Sequence, residues 1–436
     1  MKNNKILMKE KISYGLGDTA SNLIFMMITS YLMYFYTDVF GISAAVVGTL
    51  FLIARIFDAI NDPIIGLFID KTNTKWGKSR PYFLWFSIPF ALLAVLTFYT
   101  PDLSMVGKIV YAYITYNLLN VLYSLINLPL SSLLPSITSN TQERTILNSF
   151  RMVGGQIGAF LVNLLALPLV RILGQGNEKN GFLFTMLLFA LVGIVMYFQT
   201  FKNTRERVVP KNNEVLTLKE SFSALKKNLP WWIMLFINFS YWVAFTAKNQ
   251  SAVYYLKYNF NKPDLVSIIN GLGVVMIISM IVIPYVTQRT SKRNTMVLGY
   301  AIAILGQIII YISSFGESVS ILIIGTIISY LGLGGVNGLI FAAVADTVDY
   351  GEKQTGYRAP GLLSSASSFG VKFGMGLGGA IAAWIMSVNG YISKQSNQSL
   401  QTLNAIEFDF IWIPLICAIL GILSLLFYKV DESNQE

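Results

Sequence analysis

Seven ionisable side chains lie inside long apolar stretches of this sequence: Asp18, Arg55, Asp58, Asp62, Arg151, Lys248 and Lys372. A charge at the centre of a membrane helix costs about 2.5–3.5 kcal/mol, so each calls for a partner or a task. The run 43–69 holds the densest group. Asp58 and Asp62 are one helical turn apart and share a face, and Arg55, three residues before Asp58, can pair with it. Asn61 stands beside them and Pro63 follows. Two carboxylates and an amide oxygen are hard oxygen ligands of the kind a small cation takes, so Asp58 and Asp62 would hold Na+ if sodium is the ion. Alternatively, two like charges in a low dielectric let one carboxylate carry a proton near neutral pH. A buried salt-bridge network that only ties helices together is the structural alternative, and it applies also to Arg151 and Lys372.

A second group begins at Asp18. Asn22 lies one turn later on the same face. Tyr14, Tyr31, Tyr34, Tyr36, Tyr116 and Tyr123 supply rings with polar edges. Carboxylates, amides, guanidinium groups and rings together suit a sugar. Tyrosine is also common at membrane interfaces, which is the expected place for any single one of these. Lys248 either snorkels from the outer end of its helix or faces a pore.

The elements that carry these groups must be membrane helices. Of the 436 residues, 54% are hydrophobic and only 12% charged, where soluble domains run near 25%. Twelve apolar runs are each long enough to cross about 30 Å of hydrocarbon: 14–36, 43–69, 82–100, 107–130, 150–172, 181–201, 231–257, 264–287, 296–315, 319–345, 360–389 and 407–428. They are called spans one to twelve below. Pro63, Pro129 and Pro284 fall inside spans, where neighbouring helices can re-satisfy the freed backbone groups. The polar segment Met1 to Ser13 is not read as a cleavable signal peptide, because the apolar run after it is too long and lacks a small-residue cleavage site.

The formal net charge is +10, and it sits in the loops. With spans drawn as above, 22 Lys and Arg fall on the side of the termini. Only Lys108, Arg171, Lys179, Lys257, Lys262 and Lys394 fall on the other. This bias predicts both termini in the cytoplasm and an even number of spans; the expected location is the bacterial inner membrane. It explains the charge without nucleic acid, which would need a soluble basic face. The single cysteine, Cys417, excludes an intramolecular disulfide, and the absence of histidine removes the usual metal ligand and proton shuttle. No nucleophile triad, metal cluster or phosphate-cradling Gly loop is read, so the chain is not expected to be an enzyme or to need a cofactor beyond a coupling cation. No obligatory protein partner is evident; the expected partners are a small sugar and the bilayer.

The longest polar break divides the chain into an N-terminal six-helix half (1–201), a cytoplasmic linker (202–230) and a C-terminal six-helix half (231–436). Six plus six spans about a basic loop is the layout of the major facilitator fold. A weak repeat agrees: Gly66 to Lys71 and the basic loop to Arg80 follow span two, and Tyr285 to Arg293 follows span eight. The first resembles the superfamily's G-x-x-x-D loop motif.

Five stretches carry a closer resemblance: Ser13 to Asp18, Tyr31 to Asp38, Gly48 to Pro63, Lys75-Trp76-Gly77-Lys78 and Ala345 to Glu352. They resemble the glycoside–pentoside–hexuronide:cation symporters, which include the melibiose carrier, over essentially the whole chain. The resemblance implies a twelve-helix major facilitator fold, alternating access, and symport of a glycoside with Na+, Li+ or H+. It places Asp58 and Asp62 on that carrier's two cation-site aspartates, Asn61 on the family's asparagine, and Ser124 where the carrier has a threonine. Arg151 and Lys372 match the functional basic residues of spans five and eleven. The carrier's sugar-binding aspartates are replaced here by Asn22 and Asn127, with Asp18 one turn before Asn22, so galactoside specificity does not carry over. The sequence ends soon after span twelve, without the phosphotransferase-like domain that some relatives append.

The expected sugar site, at the midplane between the halves, is therefore Asp18, Asn22, Asn127, Arg151 and Lys372. The expected cation site is Asp58, Asn61, Asp62 and Ser124. Asp70, Arg80, Asp346, Asp349, Glu352 and Arg358 sit at cytoplasmic span ends and are the expected gating ion pairs, with topological anchoring as the alternative. Two other functions compete. A drug or lipid transporter on the same fold could dispense with Asn22, Asn127 and Arg151. A transporter-like sugar sensor usually needs a cytoplasmic domain larger than the loop from Lys202 to Pro230.

Overall fold

A computed structural model describes residues 6–208, 228–355, 360–428 and 430. Every regular element among them is helical. Eleven helices are long and apolar enough to cross a membrane. The twelfth, in span one, is long enough (Met8–Tyr34) but carries Lys9, Glu10, Lys11, Asp18 and Asn22. The chain separates into two compact units, Met1–Asn212 and Asn213–Glu436.

In the first unit the helices are Met8–Tyr34, Ala44–Lys71, Arg80–Thr97, Met105–Ile137, Thr141–Gly174 and Glu178–Asn203. In the second they are Leu229–Tyr254, Leu265–Gly271 continued by a 3-10 turn into Val275–Arg289, Lys292–Ser314, Val319–Thr355, Pro360–Val388, and Leu400–Glu407 continued by a π-turn into Ile413–Leu425. Several helices outrun the apolar runs. Span four continues from 130 to Ile137, span five begins at Thr141 rather than 150, and span ten reaches Thr355 rather than 345. Hydropathy detects the part that lipid solvates, while the helix continues into polar surroundings until a cap stops or starts it. At Thr141 that cap is Asn140, whose side chain accepts from the backbone N–H groups of Gln142 and Glu143.

The two units repeat one another in detail that the sequence hides. Span one ends in a π-turn, Phe35–Val39, and span seven in another, Tyr255–Asn259. In the first the N–H of Phe40 bonds the carbonyl of Phe35 and that of Ile42 bonds Tyr36; in the second Phe260 bonds Tyr255 and Lys262 bonds Leu256. Each turn is closed by a left-handed residue, Gly41 (φ 85°) and Asn261 (φ 50°), a conformation these two types adopt most readily.

Glycines set the helix crossings. A Cβ on Gly158 of span five would stand 2.6 Å from the carbonyl oxygen of Thr19 in span one. One on Gly374 of span eleven would stand 2.6 Å from that of Phe239 in span seven. Small residues let membrane helices approach backbone to backbone, where dispersion and weak polar contacts replace the hydrophobic effect. Gly154, one turn before Gly158, meets the carbonyl of Gly15 directly, and Thr19 Oγ1 donates to the carbonyl of Gly154 at 2.9 Å. Gly154→Val is expected to force spans one and five apart and to lose about 1–3 kcal/mol or more, read as a lower midpoint of thermal unfolding in detergent. Gly66→Ala, facing open space, is the control. Equal midpoints for Gly154→Val and wild type would show that the crossing is not tight.

Candidate functional site

Span two positions Arg55, Asp58 and Asp62 on a helix that continues through Pro63. Arg55 Nη1 lies 2.9 Å from Asp58 Oδ2, and both side chains are buried. Arg55 Nη2 donates to Tyr116 Oη and to Asn120 Oδ1, each at 2.9 Å, so the guanidinium is fixed on span four. Asn120 in turn donates to the carbonyl of Tyr116. Ser124, one turn along span four from Asn120, is buried as well. The Nδ2 of Asn61 is buried without a hydrogen-bond partner. Two carboxylates and one guanidinium leave this group one formal negative charge, which one monovalent cation or one proton cancels. Among the described residues no three His, Cys, Asp or Glu side chains gather to hold a metal. A cation here would draw on two carboxylates completed by amide or hydroxyl oxygens.

Spans one, four and five bring the second group together. Asp18 Oδ1 stands 3.6 Å from Arg151 Nε, an ion pair, and the guanidinium also reaches the hydroxyl of Tyr14. Asn22 donates to the backbone carbonyl of Asp18 at 2.9 Å. Gly155 makes the room: a Cβ there would stand 2.6 Å from Asp18 Oδ2 and 3.1 Å from Asn22 Nδ2. Tyr123 lies in the field of Asp18, Arg151 and Arg55, and its hydroxyl reaches the side chain of Asn127. Its ring stacks on Phe25 at 5.4 Å. Tyr123 therefore stands between the Asp18 group and the Arg55 group. The carbonyl of Asn127 accepts from the Ser131 hydroxyl at 3.1 Å. Lys372 lies in the second unit, half-buried on the helix Pro360–Val388.

Several tyrosines are turned into the protein. Tyr14, Tyr31 and Tyr36 are fully buried, and Tyr14 donates to the carbonyl of Leu130 at 3.0 Å. Tyr116 holds Arg55 as described. Lys248 does not snorkel: it is 2% exposed. Its Nζ lies 5.5 Å from the Tyr330 ring and 5.1 Å from the Phe410 ring. Ring faces replace part of the water that an ammonium loses on burial.

The sequence reading missed a network at the ends of spans one, three and six. Glu206 accepts from the backbone N–H groups of Lys78, Ser79 and Arg80 at 2.9, 2.8 and 3.0 Å. It does so at the N-terminus of the helix Arg80–Thr97, where Ser79 makes no side-chain cap of its own. A distant carboxylate thus satisfies the orphan donors and meets the positive end of the helix dipole. Gly77 (φ 108°) is required here, since any Cβ would enter the Glu206 carboxylate. Glu10, 3% exposed within the segment read as a polar tail, takes Arg207 Nη1 and Nη2 at 2.8 Å each. That hydrogen bonding holds the Arg207 guanidinium above its usual pKa. Lys11 pairs with Glu143 at 2.7 Å. Sequence spacing offered only the Trp76-Gly77 turn as a signal, because every partner lies far along the chain.

Of the expected gating residues, Arg80 donates to the carbonyls of Phe201 and Trp76 in its own half. Asp346 pairs with Lys292 in its own half. Asp349 and Glu352 lie on the last turns of the helix Val319–Thr355. The Asp70 side chain and Arg358 lie outside the described residues. Glu206→Ala is expected to lose about 1–2 kcal/mol by orphaning three N–H groups, seen as a lower unfolding midpoint. Glu206→Gln keeps an acceptor and is expected to lose about half as much. A Glu206→Ala protein that melts with wild type would remove the cap from the account.

Membrane helices with charged groups buried inside each half are an arrangement that suits a transporter. The chain matches the family described as MFS/sugar transport protein over residues 13–432. It belongs to that family and is a multi-pass membrane protein of the major facilitator fold, a secondary transporter of sugar-type substrates rather than an enzyme. It is 47% identical to the isoprimeverose transporter of Lactiplantibacillus pentosus, over 98% of this chain and 90% of the relative. It is 33% identical to the putative glycoside/cation symporter YagG of Escherichia coli (strain K12), over 99% and 94%. It is 31% identical to a putative sulfoquinovose importer of Salmonella typhimurium (strain LT2), over 99% and 91%. Among solved structures, a bacterial homologue of the human lysosomal transporter Spinster aligns with a TM-score of 0.69 at 13% identity, covering 98% of this chain and 96% of that one. The nucleoside transporter NupG aligns at 0.64 and 14%, covering 97% and 98%. At such identities these two show the fold alone.

Proposed function

We propose that the protein imports a neutral disaccharide glycoside containing a pentose, with isoprimeverose, a disaccharide of xylose and glucose, as the first candidate, together with one monovalent cation. The observation that carries this reading is the Asp18–Arg151 pair, held at 3.6 Å beside Asn22. One carboxylate balanced by one guanidinium is neutral overall. It offers both acceptors and a fork of donors to adjacent hydroxyls, while Asn22 and Asn127 add no charge. The 47% identity to an isoprimeverose transporter supports the same substrate class.

In this reading Asp18, Asn22, Asn127, Arg151 and Lys372 contact the sugar. Asp58, Asn61, Asp62 and Ser124 take the coupling ion, Na+ or H+. The protein lies in the bacterial cell membrane with both termini cytoplasmic, supported by the excess of Lys and Arg on that side. Asp70, Arg80, Asp346, Asp349, Glu352 and Arg358 would gate it, with Arg80 and Asp346 released from their present partners as the state changes.

The test is uptake of labelled isoprimeverose, a neutral hexose glycoside and a uronide into membrane vesicles, with Na+ and pH gradients imposed separately. Accumulation of the pentose glycoside above its external concentration under at least one gradient is expected. No accumulation of any glycoside under either gradient would overturn the reading.

A further inference from the structure

The repeat that relates the two units assigns a residue that the sequence motifs do not. Spans one and seven end in matching π-turns, which align Phe35 with Tyr255 and Phe40 with Phe260. The same offset aligns Asp18 with Asn238, Asn22 with Trp242 and Met26 with Thr246. The contacts of these positions with the neighbouring helix agree independently. In the first unit Asp18 pairs with Arg151 of span five, and a Cβ on Gly158 would meet Asn22 Cβ at 3.0 Å. In the second, Asn238 donates to the carbonyl of Ser367 in span eleven at 3.1 Å, and a Cβ on Gly374 would meet Trp242 Cβ at 3.2 Å. One register relates Arg151 to Ser367 and Gly158 to Gly374. Trp242 therefore occupies, in its own half, the place of Asn22.

Three polar atoms of this stripe are unspent. Asn238 Oδ1, Trp242 Nε1 and Thr246 Oγ1 are each buried without a hydrogen-bond partner. Asn238 and Thr246 are 0% and 3% exposed. Spaced one turn apart, they form a single line along span seven. A buried polar group left unmade costs about 1–3 kcal/mol, so three in line call for water or a ligand. The line offers an acceptor, a donor and a hydroxyl that is both. The indole adds a flat apolar face, held edge-on by the rings of Tyr241 at 5.5 Å and Phe245 at 5.4 Å. Sugars present this complement: hydroxyls that donate and accept around a ring with an apolar C–H face.

We propose that Asn238, Trp242 and Thr246 form a glycoside-contacting stripe on span seven, with Trp242 as the stacking platform that selects for a second sugar ring. This rests on the reading of the protein as a glycoside transporter. Two measurements test it. Trp242→Ala is expected to weaken binding of a disaccharide glycoside at least about tenfold, and binding of its monosaccharide much less. Trp242→Phe, which keeps a ring but loses the N–H, is expected to fall between. Because Trp242→Ala could disturb packing, Thr246→Cys in a Cys417→Ser background gives a second readout: alkylation by a small water-soluble thiol reagent. Saturating glycoside is expected to slow that alkylation at least about fivefold.

Unchanged affinity in both Trp242 variants would overturn the stripe. So would alkylation of Thr246→Cys that the sugar does not slow, or no alkylation at all, since a substrate face must open to water. If instead wild-type protein in the same vesicles binds no glycoside, the functional reading fails and not this assignment alone.

Discussion

Asp58→Asn is expected to abolish gradient-driven accumulation of sugar while leaving exchange of sugar across the membrane measurable. The argument is one of charge. Arg55 already neutralises one of the two carboxylates of span two at 2.9 Å, so the group carries the single negative charge that one cation needs. Removing Asp58 leaves Arg55 and Asp62, a neutral set with nothing to attract a cation. The substitution also leaves a buried guanidinium short of its partner, and breaking such a pair costs about 3–5 kcal/mol. Tyr116 and Asn120 still hold Arg55, which limits that loss. Asp62→Asn, which leaves the Arg55–Asp58 pair intact, is the companion. It is expected to lose accumulation without the loss of stability. Counterflow and uphill uptake, measured on the same vesicles, separate the two effects. An Asp58→Asn protein that concentrates sugar as wild type does would place the cation elsewhere. One that loses exchange together with folded protein would make the pair a helix tie.

Arg151→Lys is expected to lower affinity for the transported glycoside at least about tenfold, roughly 1.4 kcal/mol. Lysine keeps the charge opposite Asp18 but not the planar fork that can bond two adjacent hydroxyls. The guanidinium faces Asp18 at 3.6 Å and reaches Tyr14, so a midpoint of thermal unfolding measured on the same protein separates loss of that contact from loss of ligand donors. Equilibrium binding of a neutral glycoside and its uronide to purified protein gives the result. Equal affinity of the two proteins for every ligand that wild type binds would take Arg151 out of the site.

Much of this protein was legible before its tertiary structure. A bilayer admits only helices of a certain length and apolarity, so the spans could be marked from composition alone, and the excess of lysine and arginine on one side proposes an orientation. Local spacing was enough to foresee the Arg55–Asp58 pair, because residues three apart on one helix must be neighbours.

What the sequence could not supply was every partnership between distant segments. Glu206 capping the helix that starts at Arg80, Glu10 clamping Arg207, and Tyr116 holding Arg55 join side chains that no periodicity connects. For Lys248 the sequence left snorkelling and a pore-facing role open; Tyr330 and Phe410, whose rings lie beside its ammonium, arrive from other helices. The equivalence of Asn22 and Trp242 is invisible to residue type, since an amide and an indole share no chemistry. It emerges only from backbone: two π-turns of one geometry, and glycines that bring span five against span one and span eleven against span seven at the same depth. Along one helix the chain dictates its neighbours by rise and turn; between helices, close packing decides them, and only the folded backbone records the outcome.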